Sequence, residues 1–268
     1  MQPTKSSKWQ NENQIDVVIP VFNQLEILKK TVSALKEHSG DLLGSIIFVD
    51  DASTEEGIGQ FCTQEGRYVQ NRRNVGFART ANTGAGKVGT TRFVLMNSDV
   101  EATPGWLDAL AAKMAQDESY AVVAPLLLFP LDSTDPDRPA GMVQSAGFFL
   151  HIDGSPLHRF VGWDPKKQKV QLERDDLQGV TGACWLVKRT VWRELSGFEE
   201  SYHSYFEDLD YCIRARVAGH KIVYTPSSLL YHQVGASWQG QDVHLAEKMQ
   251  YFLQRNQGNV FPDAHKML

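Results

Sequence analysis

Ile15-Asp-Val-Val-Ile-Pro-Val21 is a nearly continuous apolar run, the pattern of a strand buried on both faces of a parallel sheet. Leu25, Leu28, Val32 and Leu35 follow at helical spacing, Gly40 supplies a stop, and Ser45-Ile-Ile-Phe-Val-Asp50 forms a second apolar run. Strand, helix and strand in that order make a βαβ unit, so the first half of the chain reads as an α/β sheet. A third run, Arg92-Phe-Val-Leu-Met-Asn97, precedes a helix expected from Pro104, with Trp106, Leu107, Leu110 and Met114 on one side.

Further along, Tyr120 to Phe129 reads as a strand and Pro130 to Gly141 as a Pro/Asp-rich loop. Val180 to Lys188 is expected as a strand, Thr190 to Leu195 as a short helix, and Lys221 to Thr225 as another strand. The segment from Val243 to Gln254 is amphipathic, with Ala246, Met249, Phe252 and Leu253 on one side. Core packing explains that stripe better than membrane contact. The division expected is a polar tail over 1–14, one catalytic domain over 15–240, and a helical tail over 241–268 packed on it.

With 268 residues, 42% of them hydrophobic and 22% charged, the chain has an ordinary globular composition. A formal charge of -5 argues against a broad basic surface and hence against nucleic acid. A phosphate-bearing ligand must then be met by local donors or a metal. Cys62, Cys184 and Cys212 form no paired Cys-x-x-Cys or zinc pattern and read as thiols of a reducing compartment. No apolar run approaches the length needed to span a bilayer, and the first residues carry no apolar signal region. The cytoplasm is the expected location.

In an open α/β sheet, ligands bind outside the carboxyl ends of the strands. Three such ends are polar here: Pro20-Val-Phe-Asn23, Asp50-Asp-Ala-Ser-Thr54 and Asn97-Ser-Asp99. Each alone is a turn or a helix cap. Together they place Asp50, Asp51 and Asp99 along one rim, where like charges repel unless a cation or donors intervene. A hard divalent ion such as Mg²⁺ or Mn²⁺ takes one or two protein carboxylates and shares substrate phosphates, which makes Asp99 its candidate ligand. Asn74-Val-Gly-Phe-Ala-Arg-Thr-Ala-Asn-Thr-Gly84 offers glycines and amides that suit a flat base or ribose, without a G-x-G-x-x-G fingerprint.

Tyr205-Phe-Glu-Asp-Leu-Asp-Tyr-Cys-Ile-Arg214 gathers three carboxylates and an arginine at the start of an expected helix. Two readings compete: a solvated acidic first turn with an Asp210 to Arg214 pair at i,i+4 spacing, or a carboxylate held beside a substrate as general base.

The ordered set VVIPVFN, VDDAST, NVGFARTANTG, MNSD, TGACWLVKR, GFEESYHSYFEDLDYCIR and YHQVGAS resembles the inverting nucleotide-sugar transferases of glycosyltransferase family 2 across roughly residues 15 to 240. The resemblance implies a GT-A fold, a three-layer α/β/α sandwich with a Rossmann-like nucleotide-binding half and a mostly parallel central sheet. It implies that Pro20, Phe22, Asn23, Asp50, Asp51 and Asn82 meet the nucleoside, with Asn97 and Ser98 completing the nucleotide site. The family's Asp-x-Asp metal motif stands here as Asn97-Ser-Asp99, which leaves Asp99 as its carboxylate, and His232 takes the late-histidine role. Asp208 is implied as the base, Glu207 as its supporting neighbour, and Trp185, Asp210 and Arg214 as the acceptor side.

The implied reaction moves a sugar from a UDP- or dTDP-linked donor, with Mn²⁺ or Mg²⁺, to a hydroxyl of a glycan or lipid-linked glycan. Bacterial members with similar motifs build surface polysaccharide, including by rhamnosyl transfer, which brings in a peripheral contact at the inner face of the membrane. Two other readings stand beside it. A nucleotidyltransferase needs a glycine-rich first loop with a lysine, which Pro20-Val-Phe-Asn23 does not supply. A catalytically silent glycan-binding domain has no use for Asp99, Asp208 and His232 together.

Overall fold

The structure is a computed structural model that describes residues 13–233 and 244–263. Residues 1–12 of the polar tail, Val234 to Ser237 of the YHQVGAS motif, and 241–243 and 264–268 of the C-terminal segment lie outside the described residues.

Strand β1 (Ile15–Val21) is buried over its whole length. Helix α1 (Leu25–His38) follows and packs Leu28, Val32 and Leu35 inward. The α1 N-terminus is closed from a distance: the Glu55 carboxylate accepts the Gln24 and Leu25 amides at 2.6 and 3.2 Å, satisfying donors that a helix start leaves bare. Next come β2 (Leu43–Asp50), α2 (Ile58–Glu65), β3 (Arg67–Gln70), α3 (Phe77–Ala85), β4 (Arg92–Met96), β5 (Val100–Ala102) and α4 (Trp106–Met114). The second half runs β6 (Tyr120–Leu128), β7 (Val143–Ser145), β8 (Phe148–Leu150), β9 (Pro156–His158), β10 (Cys184–Lys188), α5 (Arg189–Glu194), α6 (Glu207–Val217), β11 (Lys221–His232) and α7 (Leu245–Arg255).

The main sheet runs β3-β2-β1-β4-β10-β6-β11-β5, with β7 added to β6. From β3 to β4 every pairing is parallel. Beyond β4 the sheet is mixed, because β10 runs antiparallel to both β4 and β6 while β11 is parallel to β6. The parallel pairing expected of most of the sheet is concentrated in its first half, from β3 to β4. Apolar cores cover both faces, one around Val18, Val49 and Ala81, the other around Ile19, Leu28 and Trp106. A third cluster joins Phe252 of α7 to Phe148, Tyr202, Phe206 and Leu209, with Met249 and Leu253 partly buried against it, while Ala246 of the expected stripe is exposed. Among the described residues no helix is long and apolar enough to cross a membrane.

The stretch expected to present glycines and amides to a ligand is mostly the helix α3. Ala78, Thr80, Ala81, Gly84 and Ala85 are buried on it. Small residues are required there because α3 lies close on β1 and β2: a Cβ on Gly84 would meet Val18 Cγ1 at 2.3 Å and Val49 Cγ2 at 3.0 Å. Gly84→Ala therefore sets a gain of about 1 kcal/mol in helix propensity against an overpacking cost of about 1–3 kcal/mol in a filled core. Overpacking wins at 2.3 Å, and the expected result is a lower urea midpoint; an unchanged or higher midpoint would show that β1 yields freely.

Candidate active site

The carboxyl ends of β1, β2 and β4 lie side by side because β1 is flanked by the other two. The chain leaving β1 turns through two left-handed residues, Asn23 and Gln24. Asn23 stitches that turn to the chain leaving β2: its Oδ1 accepts the Thr54 and Glu55 amides at 2.8 and 3.0 Å, and its amide donates to Ser53 Oγ at 2.8 Å. Asp50 faces β3, accepting the Tyr68 hydroxyl at 2.6 Å, the Gln70 side-chain amide at 3.3 Å and the Ser53 amide at 2.8 Å. A cavity of about 600 Å³ opens there, lined by Asp50, Ser53, Glu55, Gly59, Tyr68 and Gln70, a size that suits a small-molecule ligand. Pro20 is buried within β1, and Phe22 is half-buried beside the turn.

Asp99 follows β4, and His232 ends β11 opposite Val100. Their side chains meet, with His232 Nε2 3.2 Å from Asp99 Oδ1. Gln144 of β7 fixes the ring: its amide nitrogen donates to the His232 carbonyl at 3.0 Å, which turns its Oε1 to within 2.6 Å of Nδ1. An amide oxygen only accepts, so Nδ1 carries a proton and Nε2 is the ring atom that faces the carboxylate. Nε2 and a carboxylate oxygen are both first-choice ligands for a divalent cation, and a partner that fixes the ring through its other nitrogen is the usual support of a metal-binding histidine. Adjacent ligands of an octahedron with arms of about 2.1 Å sit roughly 3 Å apart, which the observed separation fits. Asn97 Oδ1, two residues from Asp99, is buried with no partner. Among the described residues no third His, Cys, Asp or Glu joins the pair, so the remaining positions of an ion fall to ligand oxygens and water.

Asp208 stands in the first turn of α6, half-exposed. Its Oδ2 accepts the Gly182 amide at 2.8 Å and its Oδ1 the Leu209 amide at 2.7 Å. Gly182 leaves room for this approach, since a Cβ there would lie 3.1 Å from Asp208 Cβ. The next carbonyl, that of Ala183, accepts the Asn97 amide at 2.8 Å. The end of β4 and the start of α6 are thus joined through two consecutive residues. Glu207 is buried and its Oε2 has no partner. Burial, with the Asp208 charge beside it, pushes the Glu207 carboxyl up to about 8. Burial raises Asp208 as well, against the pull of the Gly182 and Leu209 amides.

Three residues expected on the acceptor side lie elsewhere. Trp185 is wholly buried, ringed by Phe198 and Tyr211, with its indole N–H donated to the Thr181 carbonyl at 2.6 Å. Asp210 is also fully buried and binds Arg214, which in turn donates to the carbonyls of Leu195 and Gly197. The cause is helical rotation: two residues beyond Asp208 is about 200° around the axis, on the inward side. Asp51 and Asn82 are held by protein donors and acceptors. Asp51 accepts the Asn71 side chain and the Val75 and Gly76 amides, and Asn82 bonds the Phe198 backbone both ways. They fix the loops that border the rim. Sequence reasoning passed over Tyr68, Gln70 and Gln144; only the last carried a signal, as a polar residue inside an apolar stretch.

The model of the family described as Glycosyl transferase family 2 matches residues 16–196. An uncharacterized protein of Sinorhizobium fredii is 27% identical over 235 residues, covering 83% of this chain and 25% of its own length. The chain thus spans a quarter of that relative. The N-acetylglucosaminyl-diphospho-decaprenol L-rhamnosyltransferase of Mycobacterium tuberculosis is 26% identical over 220 residues, 75% of this chain and 71% of its own. Among solved structures, GalNAc-T7 with UDP, GalNAc and Mn²⁺ has a TM-score of 0.71 at 16% identity, covering 91% of this chain and 48% of that one. That likeness is one of architecture, the GT-A glycosyltransferase fold.

The buried Glu207 gives a pH test of this geometry. A carboxyl raised in the folded state from 4.5 to about 8 binds its proton more tightly folded than unfolded, so stability falls as pH rises through that window and levels off beyond it. Glu207→Gln removes the titration. The difference in unfolding free energy between variant and parent is expected to move steadily in favour of the variant from pH 4.5 to 8; a difference independent of pH would place Glu207 in contact with water.

Proposed function

The chain belongs to glycosyl transferase family 2, and from that premise we propose that it transfers a sugar, with inversion, from a nucleoside-diphosphate donor to a hydroxyl of a glycan or lipid-linked glycan. One observation carries the reading: the Asp99–His232 pair and the half-exposed Asp208 belong to one rim, stitched together through Asn97, Ala183 and Gly182. Displacement at an anomeric carbon needs a proton taken from the attacking hydroxyl on one side and charge neutralised on the leaving diphosphate on the other. Asp208 takes the proton as the acceptor oxygen bonds to carbon, and the electron pair of the broken bond leaves with the diphosphate. With no covalent intermediate, configuration inverts. Asp99 and His232 would hold Mn²⁺ or Mg²⁺, which supplies charge neutralisation at the diphosphate.

The nucleoside would enter the cavity beside Asp50, between the turn of Pro20, Phe22 and Asn23 and the β3 side chains Tyr68 and Gln70, with Asn97 and Ser98 toward the phosphates. Asp51 and Asn82 shape that pocket by holding its bordering loops. Likeness to the mycobacterial L-rhamnosyltransferase supports rhamnosyl transfer to a lipid-linked sugar, which suits surface polysaccharide synthesis. The donor we propose is dTDP- or UDP-linked. Three buried, free cysteines support a reducing compartment, and with it a cytoplasmic reaction, at the membrane face where the acceptor is lipid-linked.

Thermal shifts with UDP, dTDP and GDP in the presence of Mn²⁺ or Mg²⁺ identify the donor base, since a ligand of the folded state raises stability. With that donor, Asp208→Asn is expected to lower turnover by about 10²–10⁴-fold, with donor affinity little changed. Near-parental turnover would remove Asp208 as base. The metal assignment is checked by calorimetry: Asp99→Ala and His232→Ala should each abolish the Mn²⁺-dependent part of nucleoside-diphosphate binding and leave binding of the free nucleoside intact. Unaltered diphosphate affinity in both variants would sink it.

A further inference from the structure

We infer that the C-terminal helix α7 is a working part of the active site and that Lys248 is a positioning residue for Asp208. The inference rests on the reading of Asp208 as base. Both α6 and α7 lie beyond the residues matched by the family, 16–196.

The approach to α6 is an unusual piece of backbone. His203, Tyr205 and Phe206 all have left-handed φ, of 63, 66 and 70°, and none is glycine. Such a path persists only where its surroundings over-determine it. On one side it is held by α3: the His203 carbonyl accepts the Ala78 amide at 3.1 Å, and Gly76 lies so close to the His203 ring that a Cβ would be 2.0 Å from Nδ1. On the other side it is held by α7. Lys248 donates its ammonium to the Ser204 carbonyl at 2.8 Å and lies 5.6 Å from the Tyr205 ring centre. Phe252 stacks on Phe206 at 5.5 Å, and Tyr251 meets Tyr202 edge-on at 5.2 Å.

The aromatic contacts dock α7 together with Arg255 and Asn256, which bond Asp210. Lys248 does something different, since it grips the main chain at the centre of the left-handed turn, four residues before Asp208. Its charge also bears on Glu207. The charged groups facing Glu207 are Asp208 and Asp210 from its own helix and Lys248 from α7, and the ammonium is the one that favours the ionised form. A mis-set turn displaces the base relative to the acceptor hydroxyl, and errors of about an ångström in such a position cost on the order of 10²-fold in rate.

The test compares the full chain with Lys248→Met, which keeps the aliphatic stem, and Lys248→Arg, which keeps charge and donor. Amide hydrogen exchange over Ser204 to Leu209 reads the grip without any turnover. It is expected to quicken in Lys248→Met and to return toward the parent in Lys248→Arg. With the donor found above, Lys248→Met should lose about 10- to 100-fold in kcat with unchanged donor affinity, and Lys248→Arg should recover most of that loss. A merely structural contact would lower Tm and leave kcat in place. Unchanged exchange overturns the inference whatever the turnover, and so does quickened exchange with parental kcat. A parent that transfers no sugar from any donor, yet shows the exchange change, overturns the proposed reaction while leaving the mechanical grip established.

Discussion

One buried carboxylate organises the end of this protein that carries the proposed base. Asp210 has no exposure to solvent, and its two oxygens take Arg214 at 2.7 Å, Arg255 at 3.0 Å, Asn256 at 2.9 Å and Tyr202 at 3.3 Å. Those four partners come from four places: the body of α6, the last turn of α7, the residue that ends it, and the loop before α6. A buried ion pair of this kind adds little net stability over an apolar equivalent, but removing one partner is costly, on the order of 3–5 kcal/mol. Its effect is therefore to specify an arrangement. With Asp210 pinned inward, helical rotation fixes Asp208 outward, and Arg214 ties the same point to the carbonyls of Leu195 and Gly197. Strain in the left-handed turn, roughly 1–3 kcal/mol per residue, is tolerated because the helices on either side leave it no alternative.

The rim of the sheet is assembled by a different device, side chains that bridge successive strand ends. Asn23 ties the end of β1 to that of β2, Asp51 ties β2 to the loop before α3, and a main-chain bond from the Asn97 N–H to the Ala183 carbonyl adds the end of β4 without using the side chain. Asp, Asn and Ser are common after strands because they bond locally. Here they bond to neighbouring loops, and this converts a row of turns into one continuous edge, the one the proposed reaction uses.

How far the sequence showed this follows from which signals were unambiguous. β1, β2 and β4 were legible because strands buried on both faces read as apolar runs. β3, Arg-Tyr-Val-Gln at the sheet edge, is half exposed and offers no such run, so Tyr68 and Gln70 beside Asp50 went unseen. α3 was hidden by its own function: the Gly, Thr and Ala residues that let it press against β1 are those that weaken a helical signal. β11 appeared to stop at Thr225, before Pro226-Ser-Ser. A register shift absorbs that break and the strand resumes from Leu229 to His232, as proline in a strand commonly marks a bulge. That resumption is what lays His232 beside Asp99. The acidic helix was found at once, but periodicity alone did not say which of its carboxylates turned inward.

The two adjacent acids of that helix show why environment, rather than residue type, assigns the roles. Glu207 is buried with an unpartnered oxygen, and its carboxyl is pushed up to about 8, so at neutral pH it is largely protonated. Asp208, one residue on, keeps a half-exposed face and two backbone amides that favour its charge. A neutral Glu207 removes the like charge that would otherwise raise Asp208 further, while burial still raises the Asp208 carboxyl against the pull of the Gly182 and Leu209 amides. For the base role proposed above, a carboxylate with raised proton affinity is better matched to an alcohol near neutrality than an ordinary surface aspartate. The division of labour therefore follows from two positions around one helix: the inward turn that buries Asp210 also buries Glu207, and the outward one gives Asp208 both its donors and its access to the cleft.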